Sequence, residues 1–207
     1  VRAFELNPQW EMLYTDEDKI DTCGLRSDPY FKSDWNPDLF LSQNCVCHLT
    51  VYRARQIREA GGFRKGYEGA QDWDLALRVT EKLAGSQIGH IPKVLYHWRM
   101  IPGSTATAAS EKSYAHLAGL RSVQDHLDRM GHGAKVRETE GSGYFQIEHP
   151  LPADLPMVSL LIPTRDRIDL LKQCIDSILE RTEYAQYEIV VIDNDSQEQA
   201  SKDYFAA

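Results

Sequence analysis

The chain has 207 residues, a formal net charge of -8 at pH 7, and 42% hydrophobic and 10% aromatic residues, values typical of a globular protein and not of a disordered one. No apolar run approaches the roughly 20 residues that a membrane-spanning helix needs, and the first residues show no signal-peptide pattern. The acidic balance argues against a nucleic-acid-binding surface, which requires clustered lysine and arginine. It leaves open a phosphate ligand held through a metal ion.

The four cysteines do not form a Cys-x-x-Cys pair; they are Cys23, Cys45, Cys47 and Cys174. Cys45 and Cys47 fall in an alternating apolar run, where thiols usually act as small buried side chains. This usage suits a reducing cytosol, so we expect a cytoplasmic protein. The chain begins with Val1 and ends inside a helix-like pattern, and we therefore expect a fragment of a longer protein.

Hydrophobic periodicity predicts several strands and helices in the first 131 residues. In chain order these are a strand over 10–15 that runs into the acidic stretch LYTDEDKID (13–21), a β-like segment over 45–53, a helix over 54–60 ended by Gly61-Gly62, a helix over 71–85, two short strands around Pro92, and an amphipathic helix over 110–131. Such a mixture of strands and helices indicates the α/β class.

The remainder of the chain has a different character. Residues 132–156 are rich in glycine and proline and predict a linker with one or two edge strands, KVRET and YFQIEH. From residue 157 onward an apolar strand, an amphipathic helix and a second apolar strand follow one another. This order predicts a βαβ unit, which builds parallel sheets with ligand sites at the carboxyl ends of the strands.

The acidic stretch concentrates negative charge in a chain that is already acidic. In extended backbone the carboxylates of Asp16 and Asp18 point to one side, while Glu17 points to the other. Two carboxylates on one side repel each other unless a cation sits between them, and oxygen ligands of this kind favour Mg²⁺ or Mn²⁺. A solvated acidic turn is the alternative that so short a motif leaves open.

The context of this stretch resembles the motifs of glycosyltransferase family 2, whose members use nucleotide sugars and have the GT-A fold. The resemblance runs in order through PYFKSDWNPDLFLSQN, GGFRKGYEGAQDWDLALR and IPKVLYHWR…GSTA, and it covers most of residues 10–130. Within this family the chain is similar in particular to the bacterial enzymes that build cell-surface polysaccharides of the rhamnan or O-antigen type. The resemblance implies a GT-A-like, Rossmann-related mixed sheet flanked by helices, here incomplete.

The resemblance also implies roles for individual residues. Asp16 and Asp18 would hold Mn²⁺ or Mg²⁺ against the diphosphate of the sugar donor, with Asp18 the preferred direct ligand. Asp72 matches the catalytic base, although the acid that usually precedes it is Gln71 here, and a plain helix-capping role is the alternative. His97 would be a further metal ligand or, alternatively, a packed and hydrogen-bonded strand histidine. Trp73 would stack on the acceptor sugar or belong to the core.

The βαβ segment resembles the nucleotide-binding start of another family 2 domain. Thr164 and Arg165 would border the nucleotide, and Asp193 and Asn194 would meet its base and ribose, although Asn194 replaces the more usual aspartate. An ordinary loop after a strand is the alternative for this last pair.

A complete domain of this family would have its nucleotide half first, and here the order is reversed. We therefore expect the metal and acceptor half of one domain over 1–131, a linker over 132–156, and the start of a second domain over 157–207. The apolar βαβ strands need a cover, so we expect the tail to dock on the first region, within one chain or by exchange in a homodimer.

The resulting functional prediction is an inverting, metal-dependent glycosyltransferase that moves a sugar from a nucleoside-diphosphate sugar to a growing glycan. Its partners would be the sugar donor and the glycan acceptor, without nucleic acid and without a transmembrane segment; peripheral association with the inner face of the membrane is compatible with this prediction. The alternative is a non-catalytic module that binds glycan or scaffolds a polysaccharide-synthesis assembly.

Overall fold

A computed structural model describes residues 1–101, 112–131, 133–139 and 143–206 of the chain. It divides into two compact units, Val1–Pro150 and Leu151–Ala207. The GSTA stretch at 103–106, which contributed to the family resemblance, lies outside the described residues. No helix in the described part of the chain is both long and apolar enough to cross a lipid bilayer.

The elements of the first unit alternate between helices and strands. They are α1 (Arg2–Leu6), β1 (Met12–Ile20), β2 (Arg26–Tyr30), α2 (Pro37–Ser42), β3 (Thr50–Tyr52), α3 (Ala54–Glu59), α4 (Gln71–Thr80), a short 3-10 helix (Gly85–Gln87), β4 (Ile88–Arg99), α5 (Lys112–Met130), β5 (Lys135–Glu138) and β6 (Phe145–Glu148). The helices predicted over 54–60 and 71–85 are present as α3 and α4, although α4 ends at Thr80. Of the β-like segment over 45–53, only Thr50–Tyr52 forms a strand.

The central strand of the first unit is β1. On one side it pairs along its length with β4 in parallel; on the other it pairs antiparallel with β3 in its first half and with β2 in its second half. Every residue from Met12 to Asp18 is buried, because strands flank β1 on both edges. The strand predicted over 10–15 is longer than expected: β1 begins at Met12 and continues through the acids to Ile20, and each buried acid has a partner.

The strand β4 is continuous, whereas two short strands around Pro92 were expected. The pairing with β1 steps from Thr15 opposite Ile91 to Asp16 opposite Val94, so Pro92 lies in a bulge. A proline has no N–H to donate, and in a bulge no ladder hydrogen bond is lost. The bulge therefore allows one strand of 12 residues to pass through a proline.

Helix α4 is deeply buried. Its residues from Trp73 to Val79 are all buried, and it packs against α5. The antiparallel pair β5–β6 lies in the segment expected as a linker, and it adds Phe145 to the core, where its ring stacks on Trp73 at 5.5 Å. This pair contacts α5 and α2 and belongs to the first compact unit.

The second unit is the predicted βαβ arrangement. It consists of β7 (Val158–Thr164), α6 (Ile168–Arg181), β8 (Tyr187–Asp193) and α7 (Gln199–Ala206), and β7 pairs with β8 in parallel. Several apolar side chains remain open to solvent, with Leu161 62% exposed. The α/β class with a mixed sheet flanked by helices, as a GT-A-like fold has, is thus confirmed, while docking of the tail stays a prediction.

Candidate functional site

The three consecutive acids of β1 each lie beside a histidine from a distant part of the chain. Asp16 Oδ1 is 2.9 Å from His90 Nε2, Glu17 Oε2 is 3.2 Å from His48 Nδ1, and Asp18 Oδ1 is 2.5 Å from His97 Nδ1. All three acids are buried. Each buried acid therefore has a partner that can donate a proton, accept one, or bind a metal ion.

Asp18 and His97 are brought together by the register of the sheet. They face each other across the parallel strands β1 and β4. The second oxygen of Asp18 accepts a hydrogen bond from Arg26 Nε at 2.5 Å. Although burial opposes ionisation, the hydrogen bonds from His97 and Arg26 hold the pKa of Asp18 below its usual range. This carboxylate is therefore ionised at neutral pH and lies next to an imidazole that is exposed enough to be reached from solvent.

Asp16 does not join this pair in the present geometry. Its Oδ1 accepts hydrogen bonds from the backbone N–H of Lys32 at 3.0 Å and from His90 Nε2. The ring of His90 is stacked on Tyr14 at 4.9 Å, and its other nitrogen lies 3.1 Å from Asp34. Of the three predicted metal ligands, the structure thus places Asp18 and His97 side by side and gives Asp16 a separate set of partners.

Glu17 was expected only to point away from Asp16 and Asp18, without a role of its own. Its Oε2 accepts hydrogen bonds from Lys32 Nζ at 3.2 Å and from the backbone N–H of His48 at 3.1 Å. Although burial opposes ionisation, His48 and the Lys32 ammonium hold the pKa of Glu17 below its usual range. Strand alternation indicates that Glu17 points away from its neighbours, but no local pattern identifies Lys32 and His48 as the partners that it meets there.

The predicted base Asp72 lies in the first turn of α4 and is half-buried. Its Oδ2 accepts a hydrogen bond from Asn44 Nδ2 at 2.9 Å and lies 3.9 Å from Cys47 Sγ. Burial, reinforced by the Asp72 and Glu17 carboxylates, raises the pKa of Cys47. Asp72 borders two cavities, one of about 240 Å³ and one of about 680 Å³, which share Asn44, Cys47 and His48 as lining residues. The carboxylate is thus fixed in orientation and accessible to a ligand.

Asp74, two residues further along the same helix, has a different environment. It is fully buried and hydrogen-bonded to Arg64 and Arg78, with 2.7 Å between Arg78 Nη2 and Asp74 Oδ2. Although burial opposes ionisation, these two arginines hold the pKa of Asp74 below its usual range. A carboxylate enclosed in this way cannot reach a substrate hydroxyl, so Asp74 is a structural ion-pair residue and not a substitute for Asp72.

Trp73 lies mainly in the core. Its ring stacks on Phe145 and its Nε1 donates a hydrogen bond to the carbonyl of Phe40 at 3.0 Å, which leaves the residue 7% exposed. These are the contacts of a core residue, although one edge of the ring borders the larger cavity. The more exposed tryptophan along the same cavity is Trp98, on β4. Stacking of an acceptor on Trp73 stays a prediction.

The predicted nucleotide residues lie at one end of the second unit. Thr164 and Asp193 are the last residues of β7 and β8 and are partners in their parallel pairing. Asn194 donates its backbone N–H to the carbonyl of Thr164 at 2.8 Å, and Arg165 is exposed beside them. The structure thus brings all four to the carboxyl edge of the parallel strands, where ligands of open α/β sheets bind.

A further residue at this edge is Asp166, which the sequence analysis missed. Its Oδ1 accepts hydrogen bonds from the backbone N–H groups of Gln197 and Glu198, both at 2.8 Å, and its own N–H donates to Ser196 Oγ at 2.8 Å. These bonds tie the loop after β7 to the loop after β8. An aspartate directly after an apolar strand was the available signal, because acids in such loops commonly hold backbone N–H groups.

Comparison with known proteins places these observations in a family context. Residues 159–205 match the family model described as Glycosyl transferase family 2. Over 206 residues the chain is 43% identical to "Uncharacterized protein y4gI" of Sinorhizobium fredii (strain NBRC 101917 / NGR234), an alignment that covers 99% of this chain and 23% of the relative. Over 194 residues it is 40% identical to "O-antigen biosynthesis protein RfbC" of Myxococcus xanthus, covering 94% of this chain and 15% of the relative.

The chain therefore spans less than a quarter of the length of these two relatives. The family match lies within the second unit, and nearly the whole chain is similar to a protein named for O-antigen biosynthesis.

Proposed function

We propose that the first unit is the metal- and acceptor-binding half of an inverting, metal-dependent glycosyltransferase of family 2, which moves a sugar from a nucleoside-diphosphate sugar to a growing bacterial cell-surface glycan. The observation that carries the proposal is the pairing of Asp18 with His97, 79 residues apart in sequence and adjacent on parallel strands. The similarity to a protein of O-antigen biosynthesis supports the same role.

The proposed metal ion is Mn²⁺ or Mg²⁺. Asp18 fits such an ion, because its buried carboxylate is ionised and these ions typically take one or two carboxylates and complete their shell with water and substrate phosphate oxygens. His97 would supply a nitrogen ligand, and Asp16 would support the site from its position beside His90. When bound, the ion would neutralise the charge on the departing nucleoside diphosphate.

Asp72 is proposed as the general base. It would accept the proton of the acceptor hydroxyl as that oxygen attacks the anomeric carbon of the donor, from the side opposite to the leaving diphosphate. Asn44 holds one carboxylate oxygen at 2.9 Å and so fixes the direction in which the base points. Attack from the opposite side gives inversion and requires a single base of this kind.

In the second unit, Thr164, Arg165, Asp193 and Asn194 are proposed to bind a nucleotide as part of a further family 2 domain. Their shared position at the carboxyl edge of β7 and β8 supports this role. We also propose a cytoplasmic location, because nucleotide-sugar donors are made in the cytoplasm.

The test is sugar transfer, measured on the protein at its natural length with labelled nucleoside-diphosphate sugars, glycan acceptors and Mn²⁺, and read by mass spectrometry. We expect transfer that a chelator abolishes, and a loss of turnover by about 10²-fold or more in Asp72→Asn with donor binding nearly unchanged. Glycan binding that neither a chelator nor Asp72→Asn affects, without any transfer, would instead support the non-catalytic glycan-binding or scaffolding module.

A further inference from the structure

A second group of metal-binding side chains is centred on Glu17, the residue between Asp16 and Asp18. Within the described ranges, Glu17, Cys47 and His48 bring a carboxylate oxygen, a sulfur and an imidazole nitrogen to within 4.8 Å of one another. Glu17 belongs to β1, and the other two residues belong to the segment before β3. We propose that these three residues form a Zn²⁺ site that is distinct from the Asp18–His97 pair.

The spacing of the three atoms fits one tetrahedral ion. Zinc bonds to sulfur, nitrogen and oxygen place neighbouring ligand atoms roughly 3.3–3.8 Å apart in a tetrahedron. In the structure His48 Nδ1 lies 3.2 Å from Glu17 Oε2 and 3.2 Å from Cys47 Sγ. Cys47 Sγ and the Glu17 carboxylate lie within 4.8 Å of each other, so one ion can be reached by all three side chains.

The ligand types select zinc over the ions expected at Asp18. A thiolate and an imidazole are ligands that Zn²⁺ prefers, whereas Mg²⁺ and Mn²⁺ prefer oxygen. Three protein ligands leave a fourth position for water, and the cavity of about 240 Å³ that Cys47 and His48 line provides an entry path. Because Cys47 Sγ is 3.9 Å from Asp72 Oδ2, an ion held here would lie beside the proposed base.

Lys32 is the group that opposes a cation at this site, since its ammonium lies 3.2 Å from Glu17 Oε2. The same ammonium also donates to the carbonyls of Val46 at 3.1 Å and His48 at 2.5 Å. Lys32 therefore retains two hydrogen bonds when Glu17 turns toward an ion. The ring of His48 is held in place by stacking on Tyr96 at 4.6 Å, which limits the reorganisation that metal binding requires.

The experiment is calorimetric titration of the chain with Zn²⁺ alone. We expect one Zn²⁺ at this site, still bound in Asp18→Asn, with affinity reduced by more than about tenfold in Cys47→Ala and in His48→Gln, because loss of even a supporting partner of a ligand typically costs 10–100-fold. The matched controls are the double variant Cys23→Ser/Cys174→Ser, which removes the two exposed thiols, and Asp18→Asn; both should keep the site. Co²⁺ in place of Zn²⁺ should give sulfur-to-metal charge-transfer absorption that Cys47→Ala alone among the thiol variants abolishes.

Tryptophan fluorescence separates loss of the site from loss of the fold, since Trp10, Trp35, Trp73 and Trp98 all lie in the first unit. The proposal is overturned by a wild-type chain that does not bind Zn²⁺, by equal Zn²⁺ affinity in the folded wild-type and Cys47→Ala chains, or by loss of binding in a control variant. If Cys47→Ala does not fold, the cobalt spectrum of His48→Gln and of the wild type decides the question: wild-type charge transfer supports the proposal, and its absence contradicts it.

Discussion

Two sets of buried carboxylates in the first unit have different partners. The acids of β1 each meet a histidine, whereas Asp74 on α4 is enclosed by Arg64 and Arg78. An arginine is charged at all accessible pH values, so its ion pair is permanent; a histidine can lose its proton and offer a lone pair to a metal ion. We infer that an acid enclosed by two arginines holds the fold, while an acid with a histidine partner keeps one oxygen available for binding, as Asp18 does between His97 and Arg26.

The arginine-paired site should give the largest stability effect. Asp74→Asn removes the charge that Arg64 and Arg78 share inside the protein, and we expect the free energy of unfolding to fall by about 3–5 kcal/mol. The matched control is Asp72→Asn on the same helix, for which we expect less than about 1 kcal/mol. Both can be measured by urea unfolding followed by tryptophan fluorescence, which reports on the first unit. Equal losses in the two variants would remove the distinction between the two aspartates.

Glu17 tests the other side of the comparison. Glu17→Gln leaves the buried Lys32 ammonium with backbone carbonyls and an amide, and we expect a loss of about 1–3 kcal/mol in the same unfolding measurement. Asp28→Asn is the control, because it breaks an exposed ion pair with Lys19 that should contribute less than about 1 kcal/mol. A Glu17→Gln protein as stable as the wild type would show that this carboxylate is dispensable for the fold.

Glu81 has one partner of each kind, His126 and Arg129. We therefore expect its substitution to lower the free energy of unfolding by an intermediate, pH-dependent amount. Although burial opposes ionisation, these partners lower the pKa of Glu81 to about 2. A carboxyl whose pKa is lowered by folding stabilises the protein above its unfolded pKa, and this contribution disappears as the pH falls through the folded pKa. We expect Glu81→Gln to cost about 1–2 kcal/mol at pH 7, and the difference from the wild type to shrink as the pH falls from about 5 toward about 2.

The measurement is the urea midpoint of both proteins across this pH range. Glu59→Gln, on the exposed side of α3, is the control and should differ little from the wild type throughout. A Glu81→Gln deficit that stays constant down to pH 2 would contradict the assignment of the pH dependence to this residue.

Local patterns predicted much of this fold, because the helices α3 and α4 and the β7–α6–β8 unit are encoded by periodicity, glycine stops and continuous apolar strands. The course of β1 through the acids could not be predicted, since it depends on His48, His90 and His97, which are distant in sequence. Neither could the continuity of β4, because whether Pro92 ends a strand or enters a bulge is decided by the partner strand. Family resemblance predicted that Asp18 and His97 share a site. The contacts of Glu17 with Lys32 and His48 could not be predicted, because no local sequence pattern connects these residues.

The proposed metal site at Asp18 and His97 is tested most directly by titrating the chain with Mn²⁺ and reading free Mn²⁺ by electron paramagnetic resonance. We expect modest binding in the wild type, a reduction of more than about tenfold in Asp18→Asn, and no change in the exposed control Asp28→Asn. His97→Gln should weaken binding less than Asp18→Asn, because it removes a neutral ligand and not a charge. Identical Mn²⁺ titrations for the wild type and Asp18→Asn would contradict the assignment of the metal site to Asp18 and His97.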